Sequence, residues 1–322
     1  MPDTRLSSAD RSGLLMPPLA VLVTGGTGFI GRRLVALLAR GGHKVTVLTR
    51  DPGKAARLWP GDGVDFITRL DQIDANYRLG AIVNLAGEPI SDGLWTAGKR
   101  QRIIASRLAV TRQVVELIAR LAEKPVLVSG SAIGWYGVDS GDAVLDERSE
   151  GTACFSRQVC LAWEAEAMKA QALGARVVLL RTGLVLAPEG GMLQRLLLPF
   201  RLGLGGPMGD GRHWMSWIHR DDLVGLILCA MADPAWMGPI NGTAPEPVTN
   251  RAFAKALAGA LHRPAWLAVP AWPLKMLLGD MARELLLAGP RVVPQAALAA
   301  GFAFRYPDLD TALADFFPRA VA

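Results

Sequence analysis

The stretch Val21-Leu22-Val23-Thr24-Gly25-Gly26-Thr27-Gly28-Phe29-Ile30-Gly31 constrains this chain more than any other. An apolar run leads into glycines at 25, 28 and 31, and an amphipathic run, Arg32–Arg40 with Leu34, Val35, Leu37 and Leu38, follows directly. A strand, a tight glycine turn and a helix are expected in that order. Gly25 permits the turn, Gly28 lets backbone approach a pyrophosphate, and Gly31 lets the helix pack close to the strand. Thr27, Phe29 and Ile30 lie in the same loop, and the helix N-terminus offers free N–H groups and a positive dipole end to phosphate. An ordinary strand-to-helix turn is the plain alternative, but a strand before and a helix after favour a dinucleotide cradle.

The rest of the chain repeats the alternation. Ala20–Val23, Lys44–Leu48, Val64–Thr68, Ala81–Leu85, Val126–Ser129 and Val177–Leu180 read as strands, with a long helix over Thr96–Leu121. Near-continuous aliphatic strands between helices imply an α/β fold, a Rossmann-like doubly wound parallel sheet covered on both faces. After Leu186 the texture shifts to glycine, from Gly190 to Gly211, and then to recurrent proline, which reads as a smaller C-terminal lobe against the carboxyl edge of the sheet. The expected division is a flexible extension over 1–18, a nucleotide-binding domain over 19–246 with substrate-side insertions from about 187, and a C-terminal domain over 247–322.

Composition removes several classes. With 51% apolar and 20% charged residues, a disordered chain is excluded. Apolar runs such as Leu223–Ala232 and Ala265–Leu274 stop near ten residues, half of the ~20 a spanning helix needs, so no membrane role is expected. The net charge of +6 suits an anionic ligand; without interleaved aromatic and basic residues it does not point to nucleic acid. Cys154, Cys160 and Cys229 cannot all pair, which suits a reducing compartment, the cytoplasm. Four histidines and no Cys-x-x-Cys give no metal site.

The end of the second strand bears on the choice of cofactor. An acidic residue there would take the adenosine ribose hydroxyl of NAD. This chain has Thr49-Arg50-Asp51, with Arg50 placed for a 2′-phosphate and Thr49 beside it. Asp51 precedes Pro52 and reads as a helix N-cap, although a one-residue slip would make it the NAD-selecting acid. NADP(H) is therefore favoured over NAD(H). Leu85, Ala86 and Gly87, closing the fourth strand, would line the nicotinamide side. In the following helix Lys99, Arg100, Arg102 and Arg112 read as a solvated face, while Arg107, beside Ile103, Ile104 and Leu108, would sit near the sheet edge as a further cofactor contact.

Thr24–Gly31, Asn84–Gly87 and Ser131–Gly137 resemble the extended short-chain dehydrogenase/reductases of the nucleotide-sugar epimerase and dehydratase type. More narrowly, the blocks Asn84–Ile90, Ser131–Gly137, Pro199–Pro207, Trp217–Leu223 and Gly301–Pro307 resemble the "epimerase family protein" group of atypical members, from about Ala20 to Phe316. The resemblance implies a Rossmann-like domain binding NADP(H), followed by a C-terminal domain without an assigned role.

One departure bears on activity. Enzymes of that superfamily use a Tyr-x-x-x-Lys pair, the ammonium lowering the phenol's pKa. Here Tyr77, Tyr136 and Tyr306 are followed four residues on by Ala81, Ser140 and Asp310, and the matching helix places Phe155 and Val159, or Ser156 and Cys160, at the pair's positions. Ser131 matches the superfamily's substrate-binding serine. Tyr136 is either an unaided proton donor or a core or pocket-lining tyrosine. His219 is either an acid–base group or part of a turn, with Asp221 or Asp222 capping the helix after it. Trp214, Trp217, Trp266, Trp272, Met208 and Met215 are either a cleft lining or core, and Gly203–Gly211 is either a loop over the ligand or an irregular turn. The expected function is that of an oxidoreductase acting on a small carbonyl or hydroxyl compound, with a catalytically silent NADP(H)-binding sensor as the alternative.

Overall fold

A computed structural model describes residues 17–61, 63–138 and 140–318; the extension expected over 1–18 lies outside them apart from its last two residues. Seven parallel strands form one sheet: β1 Ala20–Thr24, β2 Lys44–Leu48, β3 Val64–Ile67, β4 Ala81–Asn84, β5 Val126–Ala132, β6 Val177–Thr182 and β7 Gly238–Gly242. Their order is β7-β6-β5-β4-β1-β2-β3, so chain direction across the sheet reverses at β1, between β4 and β2. A crevice opens there at the carboxyl ends of the strands, where open α/β sheets bind ligands.

Alternation along each strand builds the two faces, because successive side chains point to opposite sides. Val21, Val23, Val45, Val47, Ala81, Val83, Val126, Val128, Val178 and Leu180 face one core with helix α1 (Phe29–Arg40). Leu22, Ile82, Leu127, Val177 and Leu179 face the other, under α2 (Ala97–Arg120) and α3 (Phe155–Ala172). Helix α1 begins three residues before the expected Arg32, since Gly28 already serves as its N-cap. Thr96 caps α2 by accepting the Lys99 N–H at 3.2 Å. The unexpected seventh strand reads Gly-Pro-Ile-Asn-Gly. It lies at the sheet edge, where a proline forfeits no ladder bond.

Past β6 the chain forms α4 (Gly191–Arg201), α5 (Arg220–Ala232) and α6 (Asn250–Ala260), then the short α7 (Ala271–Leu278) and α8 (Asp280–Leu285), and finally α9 (Leu309–Phe316). Helix α5 returns to the sheet, on the α1 side. A third core joins Leu193, Leu197 and Phe200 of α4 with Phe253 and Leu257 of α6 and Leu309 and Leu313 of α9. Residues on both sides of 246 thus share one hydrophobic cluster. The segment Gly203–Gly211 is tied down: Gly206 meets the Leu267 backbone, and Gly209 and Pro207 exchange hydrogen bonds with Val269 at 2.8 Å. Among the described residues no helix is long and apolar enough to cross a membrane.

Candidate functional site

The glycine loop sits at the β1/β4 crevice. Gly25 has φ +68°, and a Cβ there would lie 2.8 Å from the Leu85 carbonyl and 2.9 Å from the Ala86 nitrogen. Gly31 is tighter still, since its Cβ would stand 2.3 Å from the Gly25 oxygen. At Gly28 the added carbon would meet only the Gly25 oxygen, at 3.1 Å, leaving its outer side open. No side chain caps α1 at Gly28, and no acidic residue occupies its first turn. A twelve-residue helix thus points an uncapped N-terminus at the crevice, the arrangement that accepts phosphate. Phe29 packs its ring against Gly190 and Gly191, Ile30 joins the α1-side core, and the Thr27 carbonyl accepts from Arg32 at 2.8 Å.

At the end of β2, Arg50 is exposed and Thr49 partly so. Asp51 caps the short helix Pro52–Ala56, accepting the Lys54 N–H at 2.9 Å. A carboxylate committed to that cap leaves Arg50 as the outward charge at the strand end. Across the crevice, Thr24 Oγ1 donates to Asn84 Oδ1 at 2.7 Å and accepts the Ala86 N–H at 3.2 Å. Asn84 Nδ2 donates to Thr111, which also accepts from Trp163 Nε1. This buried relay fixes the loop Leu85–Gly87, and the sequence reading did not include it. Arg107 stands over Gly87, whose Cβ would lie 3.1 Å from the guanidinium carbon.

Ser131 and Tyr136 belong to a second buried network. Ser131, Arg181 and Asn241 are in register on β5, β6 and β7. Arg181 donates to Glu164 through Nε at 3.0 Å and Nη2 at 3.1 Å, and Ser131 Oγ donates to the same carboxylate at 2.6 Å. Tyr136 has no exposed surface; its hydroxyl donates to Asn241 Oδ1 at 2.7 Å and accepts from Arg181 at 3.2 Å. Burial pushes its phenol up to about 12. Neither residue lines the cavity that opens beside Arg107.

That cavity, of about 220 Å³, lies between the carboxyl ends of β5 and β6, the N-terminal half of α3 and the later chain. Arg107, Ser156, Cys160 and Trp163 form one wall, Trp214, Met215 and Ser216 another, and the stretch from Glu284 to Pro290 a third. Glu284 of α8 reaches onto the start of α3, where its carboxylate accepts the Phe155 and Ser156 N–H groups at 3.1 and 2.9 Å and the Ser156 hydroxyl at 2.7 Å. The Cys160 thiol is raised by burial to about 11, a value at which it stays protonated and inert. Met208, Trp214 and Met215 thus line the cavity, whereas Trp217 is core and Trp266 and Trp272 are exposed at 82% and 69%.

His219 resolves as structure. Its Nδ1 accepts the Asp221 N–H at 3.0 Å, so the histidine itself caps α5. Its ring is stacked between Tyr306 and Phe316. Neither aspartate does the capping: Asp221 pairs with Arg33, and Asp222 accepts the N–H groups of Arg305 and Tyr306. Cys154, Cys160 and Cys229 are free thiols, and no cluster that could hold a metal occurs among the described residues.

Comparison with known proteins adds to this geometry. A model of the NAD dependent epimerase/dehydratase family matches residues 21–241, and a model of a domain of unknown function, DUF1731, matches residues 269–316. The chain is 42% identical over 319 residues to the chloroplastic epimerase family protein SDR39U1 homolog of Arabidopsis thaliana, covering 97% of this chain and 91% of that one. It is 37% identical over 300 residues to the epimerase family protein YfhF of Bacillus subtilis, covering 91% and 96%. Its fold superposes on a crystal structure of human SDR39U1 (isoform 2) with NADPH at a TM-score of 0.83, with 34% identity, covering 94% of this chain and all of that one.

Proposed function

The chain belongs to the NAD-dependent epimerase/dehydratase family, and from that premise we propose that it binds NADP(H) and acts as an oxidoreductase on a small carbonyl or hydroxyl compound. The observation that carries the reading is the junction at Gly87. On one side lies a glycine cradle with an uncapped helix N-terminus, and on the other a partly enclosed, mostly apolar cavity. A cleft with these two compartments suits a long cofactor whose phosphates lie outside and whose reactive ring faces an enclosed substrate.

Gly25, Gly28 and Gly31 hold the pyrophosphate by backbone in this reading, Arg50 and Thr49 hold the 2′-phosphate, and Leu85–Gly87 lie along the nicotinamide side. The crystal structure of the human relative with NADPH supports the choice of cofactor. When bound, the nicotinamide supplies or accepts hydride. The chain's own residues exclude water with the Trp214 and Leu285–Pro290 walls and orient the substrate. The cavity wall presents Ser156, held by Glu284, and the protonated Cys160. We place the protein in a reducing compartment such as the cytoplasm, in keeping with its free thiols.

The commitment of Ser131 to Glu164 and the sealing of Tyr136 favour a second reading, a catalytically silent NADP(H)-binding sensor. Calorimetric titration with NADPH, NADP and NADH, followed by single-turnover oxidation against mixed carbonyl compounds, separates the two. Tight 2′-phosphate-dependent binding with consumption of NADPH supports the oxidoreductase, and tight binding without consumption supports the sensor. Absence of binding overturns both.

A further inference from the structure

We propose that Arg107 is the anchor for a carboxylate on an otherwise apolar substrate, so that the cavity selects small hydrophobic acids. This rests on the cofactor-binding reading above and gives its substrate a chemical class. Arg107 lines the cavity at the Gly87 junction, with its guanidinium 5.0 Å from the Trp163 ring. Among the described residues no carboxylate lies within ion-pair distance of it. Its protein acceptors are two main-chain carbonyls, Glu88 and Ile103, both reached from Nη1 at 3.0 Å. A guanidinium carries five N–H donors in a planar fork, so Nε and Nη2 are left for another acceptor.

The other charged groups around the cavity do not supply one. Glu88, whose main-chain carbonyl Arg107 touches, turns its side chain instead to Lys99 at 2.6 Å and Arg102 at 3.5 Å. Glu284 is satisfied by three hydrogen bonds at the start of α3. His213 is driven toward its neutral form by burial. Arg107 therefore remains a partly desolvated cation without an ion-paired carboxylate, and burial lowers its guanidinium from the ordinary value although the Glu88 charge opposes it. Arg107 is half-buried, so its free donors can be reached from the cavity, and the fork geometry matches a planar carboxylate.

The remainder of the cavity is mostly apolar, with Ile133, Val159, Leu184, Met192 and Leu286 among its lining beside the hydrogen-bonded Ser156 and Glu284. Its volume of about 220 Å³ exceeds the ~150 Å³ void that admits a benzene molecule. A benzoate- or octanoate-sized acid matches both its size and its single cation. The cofactor's phosphates have their own seat at the uncapped end of α1, and the Gly25–Gly31 loop contributes nothing to the cavity wall.

The test uses the full chain saturated with NADPH, titrated calorimetrically with benzoate and octanoate and with the uncharged benzamide and octanamide. At least one acid should bind tenfold or more tightly than its amide. Arg107→Met should erase that preference. Equal binding of acid and amide, or no binding of either acid, overturns the proposal. So does a tenfold loss of NADPH affinity in Arg107→Met, which would assign the arginine to the cofactor. Failure of the wild-type chain to bind NADPH overturns the underlying reading instead, and is seen in the first titration. If Arg107→Met does not fold by circular dichroism, the acid-against-amide comparison on the wild-type chain decides alone.

Discussion

Arg181 meets Glu164 in a two-pronged ion pair, 3.0 Å and 3.1 Å long, with only 4% and 6% of the two side chains exposed. The pair joins the middle of α3 to β6, and Ser131 and Tyr136 complete its hydrogen bonds. Removing one charge strands the other in a dry site. Glu164→Ala should cost about 3–5 kcal/mol in urea unfolding. Replacing both residues with apolar ones of similar volume, Glu164→Leu with Arg181→Met, should recover much of that. A loss under about 1 kcal/mol for the single variant would show the pair to be hydrated.

Gly31→Ala reverses the usual sign of a helical substitution. In an open helix interior the change gains about 1 kcal/mol. Here the added methyl would stand 2.3 Å from the Gly25 oxygen and 2.7 Å from the Gly26 Cα, both backbone. The expected result is a lower melting temperature and weakened NADPH binding together, with Gly28→Ala milder in stability because it meets only one oxygen, at 3.1 Å. A stabilised Gly31→Ala protein would mean that α1 stands farther from the loop.

Arg50→Asp should exchange cofactor preference. Arg50 is exposed at the end of β2, while Asp51 is committed to its cap. A charged hydrogen bond contributes about 1.5–3 kcal/mol, so NADPH affinity should fall roughly ten- to a hundredfold, with NADH gaining relative to it. Unchanged NADPH affinity would place the 2′-phosphate elsewhere.

The pair Arg33–Asp221 sets part of the acid limit. Burial acts to raise the Asp221 carboxyl, but the hydrogen bonds and charge of Arg33 outweigh it and hold the group below its ordinary value. A carboxyl depressed in the folded state stabilises fully above its unfolded pKa, near 3.9, and loses that contribution as pH falls through the folded value. Wild type should therefore melt above Asp221→Asn at pH 7, with the gap closing below about pH 4. A gap that stays undiminished from pH 7 down to about pH 2 would contradict this assignment.

The core of the fold was legible because α/β strands carry their signal locally. Val21-Leu22-Val23 and Val126-Leu127-Val128 are apolar on both faces and stand beside turns. β7 escaped because Gly238-Pro239-Ile240-Asn241-Gly242 carries one aliphatic residue in five, and its place depends on pairing with β6 rather than on its own composition. At the site, the glycine loop and the Asp51 cap were legible for the same local reason. The Glu164–Arg181–Asn241 network was not, since its members come from a helix and two strands far apart in sequence. A hint existed in Arg181, a lone charge closing the apolar run Val177–Leu180. Glu284 gave none: its role depends on α8 folding back onto a helix that starts 129 residues earlier.

Glu284 and the wall it leads also set an order of assembly at the ribosome. Translation delivers all seven strands by Gly242, before the stretch from Glu284 to Pro290 has been synthesised. A growing chain can therefore shape an open cleft first, with Phe155, Val159 and Trp163 still facing water, and the cleft gains its roof only as synthesis nears its end. A stop codon or stalled ribosome upstream of Met281 leaves a sticky intermediate that also lacks Met281 from the cluster it shares with Trp95 and Phe155. Such a product invites chaperone capture and proteolysis even though every strand of the sheet is present.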